Sequence, residues 1–332
     1  MRASDLIELR AEGLYCPAGQ FHIDPWRPVA DAIITHAHGD HARSGSASYR
    51  AAAVGLDILS ERIGDDAPIQ ALAYGEPIKI NDAIVSLHPA GHILGSSQVR
   101  IEVNGRVCVV SGDYKRAADP TCLPFEVVPC DVFVTEATFG LPVYRWPPMS
   151  EVAQQILAWW DACRAKNQTA VLSCYALGKA QRVMAELARY TDRTVHLHGA
   201  MLRLTERYRE AGIAMLPSEP VADSAKGRDF AGDLIIAPPS AAGSPWIRRF
   251  GNASLGFASG WMQVRGNRRR RGWDRGFVVS DHADWPALID TVRATGAKRI
   301  LPTHGNTDAL VAYLCEQGFD AEALHTEFGG DD

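Results

Sequence analysis

Along the first third of the chain, short apolar runs closed by turn residues recur at positions 14–16, 32–35, 84–87, 99–103 and 107–110. Short runs rich in Val, Ile and Leu, with Gly, Pro, Asn and Asp at their ends, predict β-strands. Asn104-Gly105 separates the last two runs, and this dipeptide readily takes the positive φ values of a two-residue hairpin turn. A hairpin over 99–110 is therefore expected. A further strand at 132–135 closes the block, and the Gly-, Pro- and aromatic-rich stretch 139–148 predicts a crossover into a second domain.

From Ser150 the pattern changes. Ser150-Glu151 ahead of apolar positions 152, 156, 157 and 160 predicts a capped amphipathic helix. A strand at 170–174, a helix over about 178–190, a strand at 194–197 and a helix over 202–210 follow, the rhythm of parallel α/β units. Past Ile235 the chain turns Gly-, Pro- and Ser-rich, passes an arginine cluster between 265 and 275, and resumes strand–helix–strand–helix over 277–317.

Composition narrows the class. With 332 residues, 46% hydrophobic and 22% charged, the chain has room for one large or two ordinary globular domains, and fibrous or disordered architectures are excluded. The net charge of −5 means that a nucleic-acid surface would have to be local. No apolar run approaches the length of a membrane span, and residues 1–10 alternate charged with apolar residues where a signal peptide would be apolar, so a cytoplasmic protein without membrane contact is expected. Cysteines at 16, 108, 122, 130, 163, 174 and 315 form no C-x-x-C pair, which predicts reduced thiols and neither a disulfide framework nor a thiolate zinc site.

The chemistry concentrates at His36-Ala37-His38-Gly39-Asp40-His41, just after an apolar strand. Three imidazoles and a carboxylate in six residues suit zinc or its first-row neighbours. Further donors follow other apolar runs: His92 in Gly91-His92-Ile93-Leu94-Gly95-Ser96, Asp113 in Ser111-Gly112-Asp113, His282 in Ser280-Asp281-His282, and His304 in Thr303-His304-Gly305.

This ordered series, HxHxDH with GHxxGS, SGD and a distant THG, resembles the metallo-β-lactamase fold and specifically its β-CASP nuclease branch. The resemblance covers essentially the whole chain. It implies an α/β architecture: an αββα four-layer sandwich from residues 1–140 and 277–332, with an inserted three-layer α/β β-CASP domain at 141–276 clamped over the metal cleft. It also implies two divalent metals, zinc or alternatively manganese. His36, His38 and His92 would hold the first, Asp40, His41 and His304 the second, and Asp113 would bridge them. His282 would donate a proton to the leaving oxygen, oriented by Glu136, while Asp24 in Ile23-Asp24-Pro25 would support the histidine loop from behind. A plain Asp-Pro turn is nearly as good a reading of Asp24.

Weaker signals lie in the second block. Ser173, Tyr175 and Lys179, in Ser173-Cys174-Tyr175-Ala176-Leu177-Gly178-Lys179-Ala180-Gln181-Arg182, stand where a strand ends and a helix begins. That setting favours phosphate, and the stretch is similar to a β-CASP element, although a simple strand-to-helix turn looks the same. His196 and His198 alternate on one strand with no carboxylate cluster, which points to a structural role. Arg268, Arg269, Arg270 and Arg271 are the core of the arginine cluster, either a backbone-phosphate tether or a solvated loop.

The leading expectation is a two-metal DNA exonuclease, running 5′-to-3′, in DNA repair. The phrases Ile23-Asp24-Pro25-Trp26-Arg27-Pro28-Val29 and His282-Ala283-Asp284-Trp285-Pro286 are similar to the bacterial ligase-associated exonucleases, which would make a ligase and helicase repair system its partner. The alternative is an RNA 3′-end processing nuclease, because a histidine at 304 is the RNA-type signature within β-CASP proteins. A small-molecule metallo-hydrolase is the third class, since fold alone does not fix substrate.

Overall fold

The computed structural model describes residues 2, 5–225, 227–264 and 272–327. The chain is a mixed α/β protein with three sheets, and it divides into two compact units: Met1–Tyr144 with His282–Asp331, and Arg145–Asp281.

The first unit holds two sheets. One orders its six strands as in the sequence: Glu8–Arg10, Gly13–Cys16, Phe21–Ile23, Ala32–Ile33, Tyr49–Ala52 and Ile69–Leu72. Its first two pairings are antiparallel and the remaining three parallel. The strand expected at 32–35 ends at Ile33. Beyond it Ile34 N–H still bonds the Arg50 carbonyl, while the Thr35 carbonyl turns to accept from Ser97 N–H. The chain thus leaves the ladder just before the histidines.

The second sheet has seven strands in the order Asp320–Ala321, Arg299–Gly305, Val132–Ala137, Arg106–Val110, Ser97–Val103, Ala83–Pro89 and Ile78–Ile80. The first four run parallel and the rest antiparallel. The expected hairpin forms: Val103 pairs with Arg106, and Asn104 and Gly105 take φ of 52° and 77°. Alternation along these strands gives the sheet two apolar faces. Val85, Val99, Ile101, Val110 and Val134 pack with Leu14, Phe21, Ile23 and Ile33 of the other sheet. On the opposite face Val109, Phe133 and Ile300 pack with Leu288, Ile289 and Val292 of the helix Trp285–Thr295 and with Leu310 and Leu314 of the helix Thr307–Glu316.

The second unit is built on a six-stranded, all-parallel sheet in the order Ser218–Pro220, Val195–Leu197, Leu234–Ala237, Thr169–Ser173, Ala253–Ala258 and Arg275–Phe277. One face packs Ala170, Leu172, Leu234 and Ile236 against the helices Met149–Ala165 and Lys179–Leu187. The alternate residues Val171 and Ile235 pack with Val221, Phe230 and Phe250. Ser150 does not cap the first of these helices as expected. The helix starts at Met149 behind Pro148, with no side-chain cap, and Ser150 lies inside its first turn. No helix among the described residues is long and apolar enough to cross a membrane, and none of the seven cysteines is in a disulfide.

Candidate metal centre

Three adjacent parallel strands of the seven-stranded sheet deliver acidic and imidazole side chains at their carboxyl ends, the usual place for a ligand in such a sheet. Asp113 follows Arg106–Val110, Glu136 is near the end of Val132–Ala137, and His304 is near the end of Arg299–Gly305. The ladder between the last two shifts register, with Glu136 opposite Thr303 and Ala137 opposite Gly305. His304 is the extra residue of that bulge and has φ 57°. A bulge re-aims one side chain, and a left-handed backbone at a non-glycine residue costs of order 1–3 kcal/mol, to be met by the surrounding structure. Asp24 carries the same strain at φ 43°. Gly112, at φ 55°, brings the backbone so close to Thr35 that a Cβ would lie 2.7 Å from the threonine side chain.

These turns bring His36, His38, His92 and Asp113 into one buried group, Asp40, His41 and His304 into a second, and Asp113, Glu136 and His282 into a third. All lie in the first unit. Asp113 reaches more than one group: Oδ2 is 3.5 Å from both His36 Nε2 and His41 Nε2, and Oδ1 is 3.5 Å from His304 Nδ1. Asp40 Oδ2 is 3.5 Å from both His41 Nε2 and His304 Nε2. His38 Nδ1 and His92 Nε2 are 3.0 Å apart.

The outer contacts fix tautomers. Asp24 accepts from Thr35 N–H at 2.7 Å through Oδ1 and from the Thr35 hydroxyl at 2.5 Å through Oδ2. With its one proton so spent, Thr35 Oγ1 can only accept from His36 Nδ1, 3.0 Å away, which leaves the His36 Nε2 lone pair facing Asp113. Asp24 Oδ2 also lies 2.8 Å from His41 Nδ1, so that ring donates backwards and presents Nε2 to the centre. Thr138 Oγ1 stands 3.1 Å from His304 Nδ1. Thr35 and Thr138 carry no sequence signal that separates them from any buried threonine.

Titration follows from this crowding. Burial, with His41 and His92 adding to it, pushes His36 well below the ordinary histidine value. Burial also opposes charge on His41, but Asp113, Asp40 and Asp24 outweigh it and carry the ring to about 10. Burial would raise Asp113, yet His41, His304 and His282 hold it well below the usual carboxylate range.

The donor set fits divalent metal. His36 Nε2, both carboxylate oxygens of Asp40 and Oδ1 of Asp113 are buried and make no hydrogen bond of ordinary length among the described residues. Buried polar atoms are rarely left so. Imidazole and carboxylate without thiolate suit zinc or manganese.

The other expected contacts lie elsewhere in the chain. Ser173 is fully buried, and Tyr175 is half-buried. Lys179 is turned inward, its ammonium 3.2 Å from Asp281 with both side chains 3% exposed. Gly178 N–H, which the anion reading would have offered to phosphate, donates to Gln181 Oε1 at 2.8 Å. His196 is buried 3.0 Å from Arg228 Nη2, and His198 Nδ1 caps the helix Gly199–Glu210 by accepting from Ala200 N–H. Contrary to expectation, carboxylates do accompany His196, with Asp233 Oδ2 at 3.3 Å and Glu219 Oε2 at 3.8 Å. Arg268, Arg269, Arg270 and Arg271 lie outside the described residues.

No family model matches the chain. It is 30% identical over 320 residues to a "Probable DNA ligase" of Opitutus terrae, a match that takes in 95% of this chain and 30% of that protein. It is 26% identical over 149 residues to an "RNase J-like protein" of Methanocaldococcus jannaschii, 42% of this chain and 35% of that one. Over 124 residues it is 27% identical to "Endoribonuclease YSH1" of Eremothecium gossypii, 37% of this chain and 16% of the other. The chain therefore spans about a third or less of the length of these relatives. A solved structure of a protein of unknown function from Enterococcus faecalis V583 superposes with a TM-score of 0.59 at 14% identity, covering 90% of this chain and 80% of that one, a likeness of fold alone.

Proposed function

This chain is related to the β-CASP branch of the metallo-β-lactamase-fold nucleases, and on that premise we propose that it hydrolyses nucleic-acid phosphodiester bonds with two divalent metals. The observation that carries the reading is Asp113, which lies 3.5 Å from His36 of one donor group and from His41 and His304 of the other, with the His282–Glu136 pair beside it.

His36, His38 and His92 would hold one ion, Asp40, His41 and His304 the other, and Asp113 would bridge them; zinc suits these donors, and manganese is the alternative. Two ions so held supply Lewis acidity toward a phosphodiester and an activated water. The chain's own groups do the rest. Glu136 Oε1 is fixed by Tyr114 N–H at 2.7 Å, and Oε2 takes His282 Nδ1–H at 2.9 Å. Nε2 of His282 is then the proton carrier toward the departing oxygen.

The architecture that goes with this reading is an αββα four-layer sandwich from 1–140 and 277–332, with 141–276 as the inserted β-CASP-type domain. The substrate we favour is DNA, trimmed 5′-to-3′ in a repair setting with a ligase and helicase system, because the relative named as a DNA ligase matches along nearly all of this chain. The absence of disulfides among the seven cysteines suits a reducing cytoplasm. RNA processing is the second reading, favoured by His304 and by the ribonuclease names of the partial relatives. Digestion of matched 5′- and 3′-labelled DNA and RNA strands by metal-loaded protein tests the choice. Faster loss of DNA from its 5′ end supports the first reading, and faster loss of RNA replaces it with the second.

A further inference from the structure

Several cations of the unit that holds the candidate metal centre are matched by carboxylates. Lys115 lies 3.7 Å from Asp119, Arg50 pairs with Asp31, and Arg299 is held by Asp5, Asp320 and Glu322. Arg62 differs. It is exposed in the last turn of the helix Leu56–Ile63 and forms no ion pair among the described residues.

Its place is set by the histidine loop. Arg62 Nε donates to the Ala37 carbonyl at 3.3 Å, and the guanidinium carbon lies 3.3 Å from where a Cβ on Gly39 would stand, with both terminal nitrogens within 3.4 Å. Gly39 does not have a positive φ, so its backbone does not call for glycine. What the missing side chain provides is a seat for the guanidinium, between the candidate ligands His38 and Asp40. A guanidinium has five N–H donors in a planar fork that matches phosphate oxygens two at a time. The Ala37 carbonyl takes one of them, and the fork of terminal nitrogens is the part that remains.

We propose that Arg62 binds a phosphate of the nucleic-acid strand next to the one being cleaved, which makes it a substrate-binding residue anchored on the metal loop. The inference rests on the phosphodiesterase reading above. Arg62 is exposed whereas the ligand atoms are buried, so it stands where the strand would pass rather than where the reacting group would sit. On a chain with net charge −5, an unneutralised cation there also draws a polyanion toward the centre.

The test is fluorescence anisotropy of a labelled single strand against zinc-loaded protein over a range of KCl, for the parent, Arg62→Gln and Arg62→Lys, with zinc content measured on each. Arg62→Gln keeps an N–H for the Ala37 carbonyl and removes the charge. It should weaken binding about tenfold and reduce the log–log salt slope by about 0.7, the share of one phosphate contact on a single strand. Arg62→Lys should recover the slope without the full affinity, and zinc content should stay the same in all three. Parent-like affinity and slope in Arg62→Gln would overturn the proposal, as would loss of zinc, which would make Arg62 a brace of the loop. A parent that binds the strand and never cleaves it would instead sink the phosphodiesterase reading, leaving the Arg62 contact in place.

Discussion

His282 Nδ1 lies 2.9 Å from Glu136 Oε2, both side chains at most 5% exposed, while His304 meets Asp40 and Asp113 at 3.5 Å. Both histidines approach Asp113, but His282 is held by Glu136 whereas His304 also faces Asp40. His282→Ala should keep both metals and lose about 10²–10⁴-fold in kcat, roughly 3–5 kcal/mol, the range for a general acid. His304→Ala should lose one metal equivalent. Elemental analysis beside steady-state rates separates them, and a metal-deficient His282→Ala would reverse the assignment.

Asp24 touches no ligand atom of the centre directly except through His41 Nδ1 and the Thr35–His36 chain. Replacing Asp24 with Asn should lower zinc affinity about 10–100-fold, the usual cost of removing an outer partner of a ligating histidine. Competition with a chromophoric chelator measures this, and an unchanged affinity would return Asp24 to a simple turn residue.

Metal uptake should release protons. In the metal-free centre burial works against the charge on His41, but its three carboxylate neighbours carry it to about 10, so at pH 8 the ring is protonated and must lose that proton to ligate. Affinity should rise with pH up to that value and fall in acid. Calorimetric titration in buffers of different ionisation enthalpy should give about one proton released from this ring, and zero release would contradict the geometry around Asp113 and Asp40.

Lys179 separates what was legible in the sequence from what was not. The candidate ligands that the structure brings together stood out in the sequence because they follow apolar runs, and strand ends are where a sheet presents its chemistry. The hairpin was legible because Asn104-Gly105 has few alternatives. Nothing local reveals that Lys179 faces inward, since its partner Asp281 is distant in sequence. The bulge at His304 and the hydrogen-bond link from Asp24 through Thr35 to His36 depend on neighbouring strands in the same way. Ser150 failed as a cap because the helix already begins at Met149, behind Pro148.

The buried Lys179–Asp281 pair should matter for stability before binding. Lys179→Met should destabilise the protein, by up to about 3 kcal/mol, by taking a buried cation from beside the Asp281 carboxylate, and adding Asp281→Leu should recover part of that loss. Chemical denaturation reads both variants. A Lys179→Met protein of parent stability but weakened strand binding would restore the phosphate role that the sequence suggested.

The most direct measurement is metal content together with strand hydrolysis in the parent and Asp113→Ala. If Asp113 joins two sites, zinc-loaded, gel-filtered parent protein should carry two equivalents and cleave a labelled strand, and Asp113→Ala should lose metal and cleavage together. An Asp113→Ala protein that keeps two equivalents and cleaves at the parent rate would contradict the account, as would a two-zinc parent that hydrolyses small esters and leaves every DNA and RNA strand intact.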